Sequence, residues 1–325
     1  MLKLEQCDGA TRADAIKQLF VRNDRPGFPD FFERVYRSLA AEGGASWVAT
    51  EDDGSVVMHV AVFPRTFHHA GRTWRAALLG DLIADERYRD FWSPLKLVRR
   101  AINDVRRDGR FDFLYTDPSP NSIAIAKAAG FAPLGALRRY VAPVNPLYLA
   151  FCGLRARAGS ARTVCDDSLD ASGPNALESF APASDLRAAR TAEFYRAHSG
   201  GELAPTPRYV IVHDPKSADT TPRALGMLAG TDSSDTAALV DMQWDDRRFG
   251  VSRALHAVAG AARSHGYRKL SCATLDGSRF ASSLVRYGFI GREVIQPIFV
   301  LGMRRGEQLP AAPDWTLTSL DGSAW

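Results

Sequence analysis

The sequence predicts an α/β fold in which each of two tandem domains combines helices with a mixed parallel and antiparallel sheet. The main observation is a block at residues 80–135 that reads as strand, turn, helix, strand, short helix and strand. A similar block follows about 160 residues later, so that Asp81 matches Asp241 and Gly130-Phe131 matches Gly288-Phe289. Because a whole domain is repeated, a chance agreement would have to occur twice. The repeat therefore favours two related domains over one large domain.

Before the first block, the chain passes from helices to a meander of strands. Ala13–Val21 and Pro29–Ala41 carry apolar residues at helical spacing, which predicts two amphipathic helices. An Asp-Asp-Gly-Ser turn at 52–55 indicates a hairpin. The predicted strands are Trp47–Glu51, Val56–Arg65, Phe67–Ala70 and Trp74–Leu79.

The first block opens on the mostly apolar stretch Ala76–Ala84, which is typical of a buried strand. Pro94 favours the first turn of a helix, because the N–H group that proline lacks would have no partner there. Gly109 is placed to end that helix. A strand at Phe111–Thr116 and a helix at Ser122–Ala129 complete the block.

The second half repeats this order of elements. Ser184–His198 is predicted as a helix, and Arg253–Ser264 and Arg279–Tyr287 are predicted as the two helices of the repeated block. The predicted strands are Tyr209–His213, Arg223–Ala229, Ala237–Trp244, Tyr267–Thr274 and Val294–Gly302.

The domain boundaries are predicted from composition. Gly, Ser, Ala, Asp and Pro dominate residues 156–174, which indicates a linker, and Val141–Arg157 is interpreted as connecting chain. We predict an N-terminal domain at 1–150, a linker at 151–180, a C-terminal domain at 181–310 and a tail at 311–325.

Composition limits the classes of protein that the chain represents. It has 325 residues, of which 46% are hydrophobic and 24% charged, as in ordinary globular proteins. The formal net charge of +4 is far below that of a dedicated nucleic-acid-binding domain. The four cysteines are not at metal or redox spacing, so neither a zinc site nor a disulfide framework is predicted. Without a long apolar segment we expect a cytoplasmic protein with no membrane anchor, and its richness in alanine and arginine is typical of GC-rich bacterial genomes.

A turn that opens a helix between two strands is a place where an anion can bind, because free backbone N–H groups and the helix dipole point the same way. The alternative is an ordinary β-α-β crossover without a ligand. The first block also resembles the core of the GCN5-related N-acetyltransferases, in which the loop Arg-x-x-Gly-x-Gly/Ala opens a helix and a later helix ends in Gly-Phe. Arg89 matches the arginine and Gly130-Phe131 the closing pair, whereas Asp90, Trp92 and Pro94 stand where the family has small residues.

This resemblance implies two tandem acyl-CoA N-acyltransferase-like domains that use acetyl-CoA or another acyl-CoA as co-substrate and no metal. It implies that the loop amides hold the pyrophosphate and that a backbone N–H near Ile83 and Ala84 polarises the thioester carbonyl. The residues so implied in cofactor binding are Ile83, Ala84, Arg89, Asp90, Phe91, Trp92 and Ser93 in the first half, and Arg247, Arg248, Phe249, Gly250, Val251 and Ser252 in the second half.

The proton acceptor of such a transfer is predicted from its place on the strand before the loop. Asp81 would have a raised pKa if buried beside the thioester, and would then act as base directly or through water. The alternative is a strand-end aspartate that binds backbone amides. His68 in a hairpin is a second candidate for proton exchange. Tyr115 is a candidate proton donor out of register with the tyrosine of the family, whose position holds Ala126 and Leu284 here.

The leading hypothesis is a tandem acyltransferase that transfers an acyl group from acyl-CoA to a small amine, such as an amino sugar or a biosynthetic intermediate, with the first half as the catalytic half. A second enzyme hypothesis takes the acyl group from aminoacyl-tRNA, as in cell-wall peptide synthesis. A third is a catalytically inactive domain pair that acts as a binding module. The acceptor, the acyl length and the oligomeric state stay open at this point.

Overall fold

The computed structural model describes residues 2–7, 11–39, 42–155, 161–166, 169, 180, 185–198, 207–217, 221–231, 233, 235–304, 306 and 308–322. The chain forms two compact units, and each unit contains segments that are not consecutive in sequence. Unit 1 comprises Met1–Phe67, Trp74–Leu134 and Gln296–Leu309, and unit 2 comprises His68–Thr73, Gly135–Ile295 and Pro310–Trp325.

The described residues include fourteen strands and eight helices, and the mixed α/β fold that the sequence predicts is confirmed. The helices are α1 (Ala13–Val21), α2 (Phe28–Leu39), α3 (Trp92–Asp108), α4 (Ile123–Ala128), α5 (Pro146–Arg155), α6 (Ala192–His198), α7 (Val251–Ser264) and α8 (Arg279–Tyr287). The strands are β1 (Lys3–Cys7), β2 (Ala45–Thr50), β3 (Val56–His69), β4 (Arg72–Ala84), β5 (Phe113–Thr116), β6 (Ala132–Pro143), β7 (Arg162–Asp166), β8 (Leu186–Ala188), β9 (Arg208–His213), β10 (Ala224–Gly230), β11 (Thr236–Trp244), β12 (Lys269–Leu275), β13 (Ile290–Gly302) and β14 (Trp315–Thr316).

In unit 1 the strands follow the order β1-β2-β3-β4-β5-β13. The β4–β5 pair is parallel, and Phe299 of β13 pairs antiparallel with Thr116 of β5. Helix α3 packs its apolar side, including Leu95, Val98 and Ile102, on the sheet. The helix ends at Gly109, whose φ of +69° is a left-handed conformation that glycine adopts without strain.

In unit 2 the strands follow the order β6-β12-β11-β10-β9-β7, and the β11–β12 pair is the parallel one. Helices α5 and α7 share one apolar core with these strands, in which Leu149, Leu255 and Val258 are buried. Strand β14 pairs in parallel with β8, where Trp315 lies opposite Leu186. The C-terminal segment is therefore folded onto unit 2 as far as residue 322.

In each unit the strand before the loop pairs in parallel with the strand after the helix, β4 with β5 in unit 1 and β11 with β12 in unit 2. The units are discontinuous, however, unlike the consecutive domains predicted at 1–150 and 181–310. Residues 135–143 of β6 belong to unit 2, and residues 296–302 of β13 belong to unit 1. Of the linker predicted at 151–180, residues 156–160, 167–168 and 170–179 lie outside the described residues, so the linker stays a prediction.

Two elements correct the sequence interpretation. The stretch taken as connecting chain contains helix α5, because Pro146 begins a helix favourably and Leu149 and Cys152 are buried against unit 2. The helix expected at Ser184–His198 is instead strand β8 followed by the short helix α6. No helix in the described part of the chain combines the length and the apolar character that crossing a membrane requires.

Candidate functional site

The parallel strands of unit 1 separate at one end. Pairing of β4 with β5 runs from Ala76 opposite Phe113 to Leu78 opposite Tyr115, although β4 continues to Ala84. We call the space beyond the last pair the strand gap of unit 1. Three consecutive residues of β4 that follow the separation, Asp81 to Ile83, are half-buried, whereas residues 76–80 directly before them are buried. The strand is therefore less covered beside Asp81 than where it pairs with β5.

Asp81 itself interrupts the regular strand. Its φ is +55°, a left-handed conformation that is uncommon outside glycine and that aspartate tolerates better than most residues. Such conformations are held by the surrounding contacts and are concentrated at functional sites. The backbone turn at Asp81 is a specific feature of this strand, because the matching Asp241 of unit 2 does not have a positive φ.

Two buried side chains hold Asp81. The Tyr36 hydroxyl of α2 donates to Oδ2 of Asp81 at 2.5 Å. His59 Nδ1 lies 3.1 Å from the carbonyl oxygen of Asp81, and His59 Nε2 lies 3.2 Å from Ser46 Oγ. Since a carbonyl oxygen only accepts, Nδ1 carries the proton of the imidazole and Nε2 accepts from Ser46. The side chain of Asp81 and its backbone are thus fixed by separate partners.

The pKa of the Asp81 carboxyl is well above its usual range. Burial raises it to about 7, the nearby charge of Asp117 adds to the rise, and the Tyr36 hydrogen bond and Arg25 act against it. Burial lowers the pKa of His59 to about 4, so His59 is neutral at physiological pH. Asp81 is therefore a carboxyl group that exchanges its proton near pH 7, which is the property of a general base.

Aromatic rings fix the position of Tyr36. Phe32 stacks on the Tyr36 ring with centroids 4.5 Å apart, and Phe63 meets it edge-on at 5.3 Å. Phe28 and Phe31 contact the same ring from α2. Because these side chains are all buried, the hydroxyl of Tyr36 has little freedom to leave Asp81.

Replacing Tyr36 with phenylalanine is expected to raise the pKa of Asp81 further. The hydroxyl stabilises the ionised carboxylate by donating to it, and the variant removes that donor while keeping the ring. The titration of Asp81 can be followed by ¹³C NMR of its carboxyl carbon in both proteins. Phe32→Tyr, which alters the neighbouring ring, is the control. An unchanged or lower Asp81 pKa in Tyr36→Phe would contradict the assignment of the hydrogen bond.

The other predicted catalytic residues are placed differently. His68 lies in the hairpin 68–73 of unit 2, where its Nδ1 is 3.3 Å from Thr73 Oγ1. Tyr115 is buried in β5, and its ring meets the Phe67 ring edge-on at 5.8 Å. Neither residue has a described hydrogen bond to Asp81. Their catalytic roles stay predictions.

The loop between β4 and α3 contains most of the predicted cofactor residues of the first half. Ile83 and Ala84 end the strand, and the carbonyl oxygen of Ala84 accepts from Arg89 Nε at 3.1 Å. A second nitrogen of Arg89 donates to Asn23 Oδ1 at 2.5 Å. Arg89 is thus used within unit 1 to hold its own loop.

The first turn of α3 is closed by a side chain of the same loop. Asp90 Oδ1 accepts from the backbone N–H of Trp92 at 2.7 Å and from that of Ser93 at 2.8 Å. Phe91 and Trp92 are large apolar side chains that remain 38% and 64% exposed, with ring centroids 5.0 Å apart. The amides that the family resemblance assigns to pyrophosphate are therefore occupied by a carboxylate.

The corresponding loop of unit 2 is arranged differently. Asp245 Oδ1 accepts from the backbone N–H groups of Arg247 and Arg248, at 3.1 and 3.2 Å. Gly250, with a φ of +77°, then precedes α7. The remaining predicted cofactor residues of this loop are Phe249, whose ring lies 4.3 Å from the Arg253 guanidinium carbon, and Val251 and Ser252, which begin α7.

The strand gap of unit 2 is filled by buried ionic groups. Pairing of β11 with β12 ends at Leu239 opposite Cys272. Beyond it, Arg190 donates through Nε to Asp241 Oδ2 at 3.0 Å and through a terminal nitrogen to Asp321 Oδ1 at 2.7 Å. Although burial raises the pKa of Asp241, the Arg190 guanidinium brings the pKa of that carboxyl below its usual value. Asp241 is therefore a buried structural anion.

The C-terminal segment bridges the two separated strands of unit 2. Thr318 Oγ1 donates to Asp241 Oδ1 of β11 at 2.7 Å, and Thr274 Oγ1 of β12 donates to the carbonyl oxygen of Leu317 at 2.7 Å. All four residues are buried. The space that corresponds to the strand gap of unit 1 is thus occupied by the chain itself.

Sequence reasoning missed Tyr36 and His59. Tyr36 was assigned to the apolar stripe of a helix, and His59 lies in a predicted strand without having been singled out. Their only distinctive signal is a polar group on an otherwise apolar face. Among the residues that the structure describes, no group of three or more His, Cys, Asp or Glu side chains is arranged to hold a metal ion.

Comparisons by sequence find no relatives, since no protein-family model and no curated protein matches the chain. Solved structures do match it. A conserved protein of unknown function from Enterococcus faecalis, described as a probable N-acyltransferase, is 12% identical with a TM-score of 0.68, over 93% of this chain and 72% of that chain. A GCN5-related N-acetyltransferase from Kribbella flavida is 15% identical with a TM-score of 0.64 over the same shares.

A third match has the tandem arrangement. It is a tandem GNAT protein from the clavulanic acid biosynthesis pathway, 13% identical with a TM-score of 0.52, and the match covers 94% of this chain and all of that chain. At these identities the likeness shows the fold. The fold of this chain is accordingly that of the GCN5-related N-acetyltransferases, as the resemblance of residues 80–135 predicts.

Proposed function

We propose that the chain is an acyl-CoA-dependent N-acyltransferase whose reaction takes place in unit 1, at the strand gap beside Asp81. The observation that carries this proposal is a carboxyl with a pKa of about 7 at the point where two parallel strands separate. The N-acyltransferases and N-acetyltransferases among the structural neighbours support the reaction class. The proposed acceptor is a small amine.

In the proposed reaction the thioester lies in the strand gap beside residues 81–83 of β4, and a backbone N–H near Ile83 polarises its carbonyl. Asp81 takes a proton from the acceptor ammonium, directly or through water. The free amine attacks the carbonyl carbon, the C–S bond breaks, and the leaving thiolate takes up a proton to give the thiol. Tyr36 and His59 are positioning residues, because they contact Asp81 and hold its carboxylate and carbonyl.

Unit 2 is proposed to have no acyltransferase activity. Asp241 is already paired with Arg190, and its lowered pKa makes it a poor proton acceptor near pH 7. Residues 317–318 occupy the space between β11 and β12 where a thioester would have to lie. The proposed reaction is therefore assigned to unit 1 alone, with Asp81 as its base.

The proposal is tested by the release of free thiol from acetyl-CoA in the presence of a panel of amines, including amino sugars and amino acids. We expect release that depends on the amine and on unit 1, so that it persists in Asp241→Asn if that variant is folded. Binding is measured in parallel by calorimetry with CoA. Binding without thiol release from any amine would favour the inactive binding module, and the enzyme proposal would be abandoned.

A further inference from the structure

The first turn of α3 has almost no backbone N–H group that is available to a ligand. The four residues 91–94 are those whose N–H groups lack a partner within the helix. Asp90 already accepts from two of them, Trp92 and Ser93, and Pro94 has no N–H. Only the amide of Phe91 is left, which is too little to hold a diphosphate.

The residue that closes this turn is an anion. Hydrogen bonds from Ser93 and from the Trp92 amide lower the pKa of the Asp90 carboxyl, so it is ionised at neutral pH. A diphosphate approaching the turn would meet a resident negative charge as well as occupied donors. The arginine of the loop does not compensate, because Arg89 donates to the Ala84 carbonyl and to Asn23.

Unit 2 shows that the closure is not a general consequence of this fold. Its helix α7 begins after Gly250, and the carboxylate of Asp245 binds the amides of Arg247 and Arg248, which precede the helix. The closed turn therefore occurs in the unit that contains Asp81, whereas in the other unit the strand gap is filled by the chain itself.

From this arrangement we infer that unit 1 selects its acyl donor by the pantetheine arm and that Asp90 excludes the diphosphate from the α3 turn. This inference rests on the proposed function, and it names the donor class. The strand gap takes the pantetheine thioester, and the nucleotide half of CoA contributes little to binding. Phe91 and Trp92 of the same loop are exposed apolar rings. Both free CoA and a carrier protein that bears phosphopantetheine present this chemistry.

The test compares the binding of CoA and of pantetheine, which carries no phosphate, by calorimetry in the full chain and in Asp90→Gly. We expect the wild type to bind the two within about threefold of each other. In Asp90→Gly the amides of Trp92 and Ser93 are free, so we expect CoA affinity to rise about tenfold relative to pantetheine, as for one charge-assisted hydrogen bond. Asp108→Gly, which removes an exposed carboxylate at the far end of α3, is the control and should leave the ratio unchanged.

The binding measurements test this inference, and the release of thiol tests the proposed function. Wild-type CoA binding more than tenfold tighter than that of pantetheine would overturn the inference, because the diphosphate would then displace Asp90. An unchanged ratio in Asp90→Gly, or no binding of either compound, would also overturn it. Equal binding of the two without thiol release from acetyl-CoA would support the inference while removing the enzyme proposal.

A third arm of the experiment identifies the source of the donor. Acetyl groups are supplied on CoA, on 4′-phosphopantetheine and on an acyl carrier protein, each with the amine that gives thiol release. If the carrier thioester reacts at least tenfold faster than acetyl-4′-phosphopantetheine, the source is a carrier protein that makes contacts of its own with the chain. If the three react alike, the chain recognises only the pantetheine arm that they share, and the inference on Asp90 stands in either case. If acetyl-CoA reacts at least tenfold faster than the other two, the nucleotide is recognised and the inference is overturned.

Discussion

Replacing Asp81 with asparagine is expected to lower kcat for amine acylation about 100- to 10,000-fold, which is the usual range for loss of a general base. Asparagine keeps the size of the side chain and can still accept the hydrogen bond that Tyr36 donates. It cannot take a proton from an ammonium group. The rate is measured as thiol release at saturating acetyl-CoA with the best amine of the panel.

The dependence of the acylation rate on pH tests whether Asp81 acts as the base. Because burial raises the pKa of Asp81 to about 7, the wild type should lose activity progressively as the pH falls below about 7. The acidic limb of the profile should be absent in Asp81→Asn, whose residual rate should follow only the ionisation of the amine. Tyr36→Phe should retain the limb and move it to higher pH.

As the pH rises, the free energy of unfolding is expected to fall, whereas the activity is expected to increase. A carboxyl whose pKa is higher in the folded than in the unfolded chain lowers stability as the pH rises from about 4 to about 7, and the full loss is present above pH 7. Asp81→Asn should therefore be at least as stable as the wild type at pH 8. A loss of activity in a protein of equal or higher melting temperature then reports on chemistry.

Asp108→Asn removes the same charge at the exposed end of α3 and should change kcat less than twofold. Retention of more than a tenth of the wild-type rate in Asp81→Asn would mean that another group takes the proton, and the assignment of Asp81 would be dropped.

The repeat allowed the order of most elements to be predicted. Periodic apolar residues and glycine stops are local signals, so α3, α7, α8 and β9 to β12 were located within a few residues. The exchange of β6 and β13 between units was not predictable, because it depends on which strand edge a segment pairs with. Such pairing is a tertiary choice between edges of similar sequence. Helix α5 was missed because its apolar residues are equally consistent with a buried helix, a buried strand or a buried connection.

The two strand gaps differ, although the sequence repeat predicts that they are alike. Asp81 and Asp241 occupy the same position and were interpreted as equivalent. The difference comes from Arg190 and Asp321, which are distant in sequence and have no counterpart in the motif. Likewise, Asp90 was recognised as a departure from the family loop, but its bonds to the amides of the next two residues depend on loop geometry.

The second large effect is expected from Arg190→Met, which should lower the free energy of unfolding by about 3–5 kcal/mol. Arg190 is completely buried and faces Asp241 and Asp321, which are buried as well. Methionine fills much of the volume but leaves two carboxylates without their cation. Urea unfolding followed by circular dichroism and by tryptophan fluorescence measures the loss.

Arg196→Met is the matched control. Arg196 pairs with Glu193 at 3.4 Å on the exposed face of α6, and both side chains are at least half exposed. Loss of such a pair should cost about 1 kcal/mol or less. If Arg190→Met were no more destabilising than this control, the buried ionic cluster would not be what holds the C-terminal segment on unit 2.

The loss should depend on pH in a direction that identifies its cause. In the wild type Arg190 keeps Asp241 ionised below its usual pKa, so the pair contributes at neutral pH and fades only under acid conditions. In Arg190→Met burial acts on Asp241 without that cation and raises its pKa. Protonation then removes part of the penalty as the pH falls, and the stability difference from the wild type should shrink as the pH is lowered from neutral. A simple packing defect would give a difference that is constant with pH. Adding Asp241→Leu to Arg190→Met should recover part of the loss at pH 7 and should flatten the remaining pH dependence, because one of the two uncompensated carboxylates is then absent.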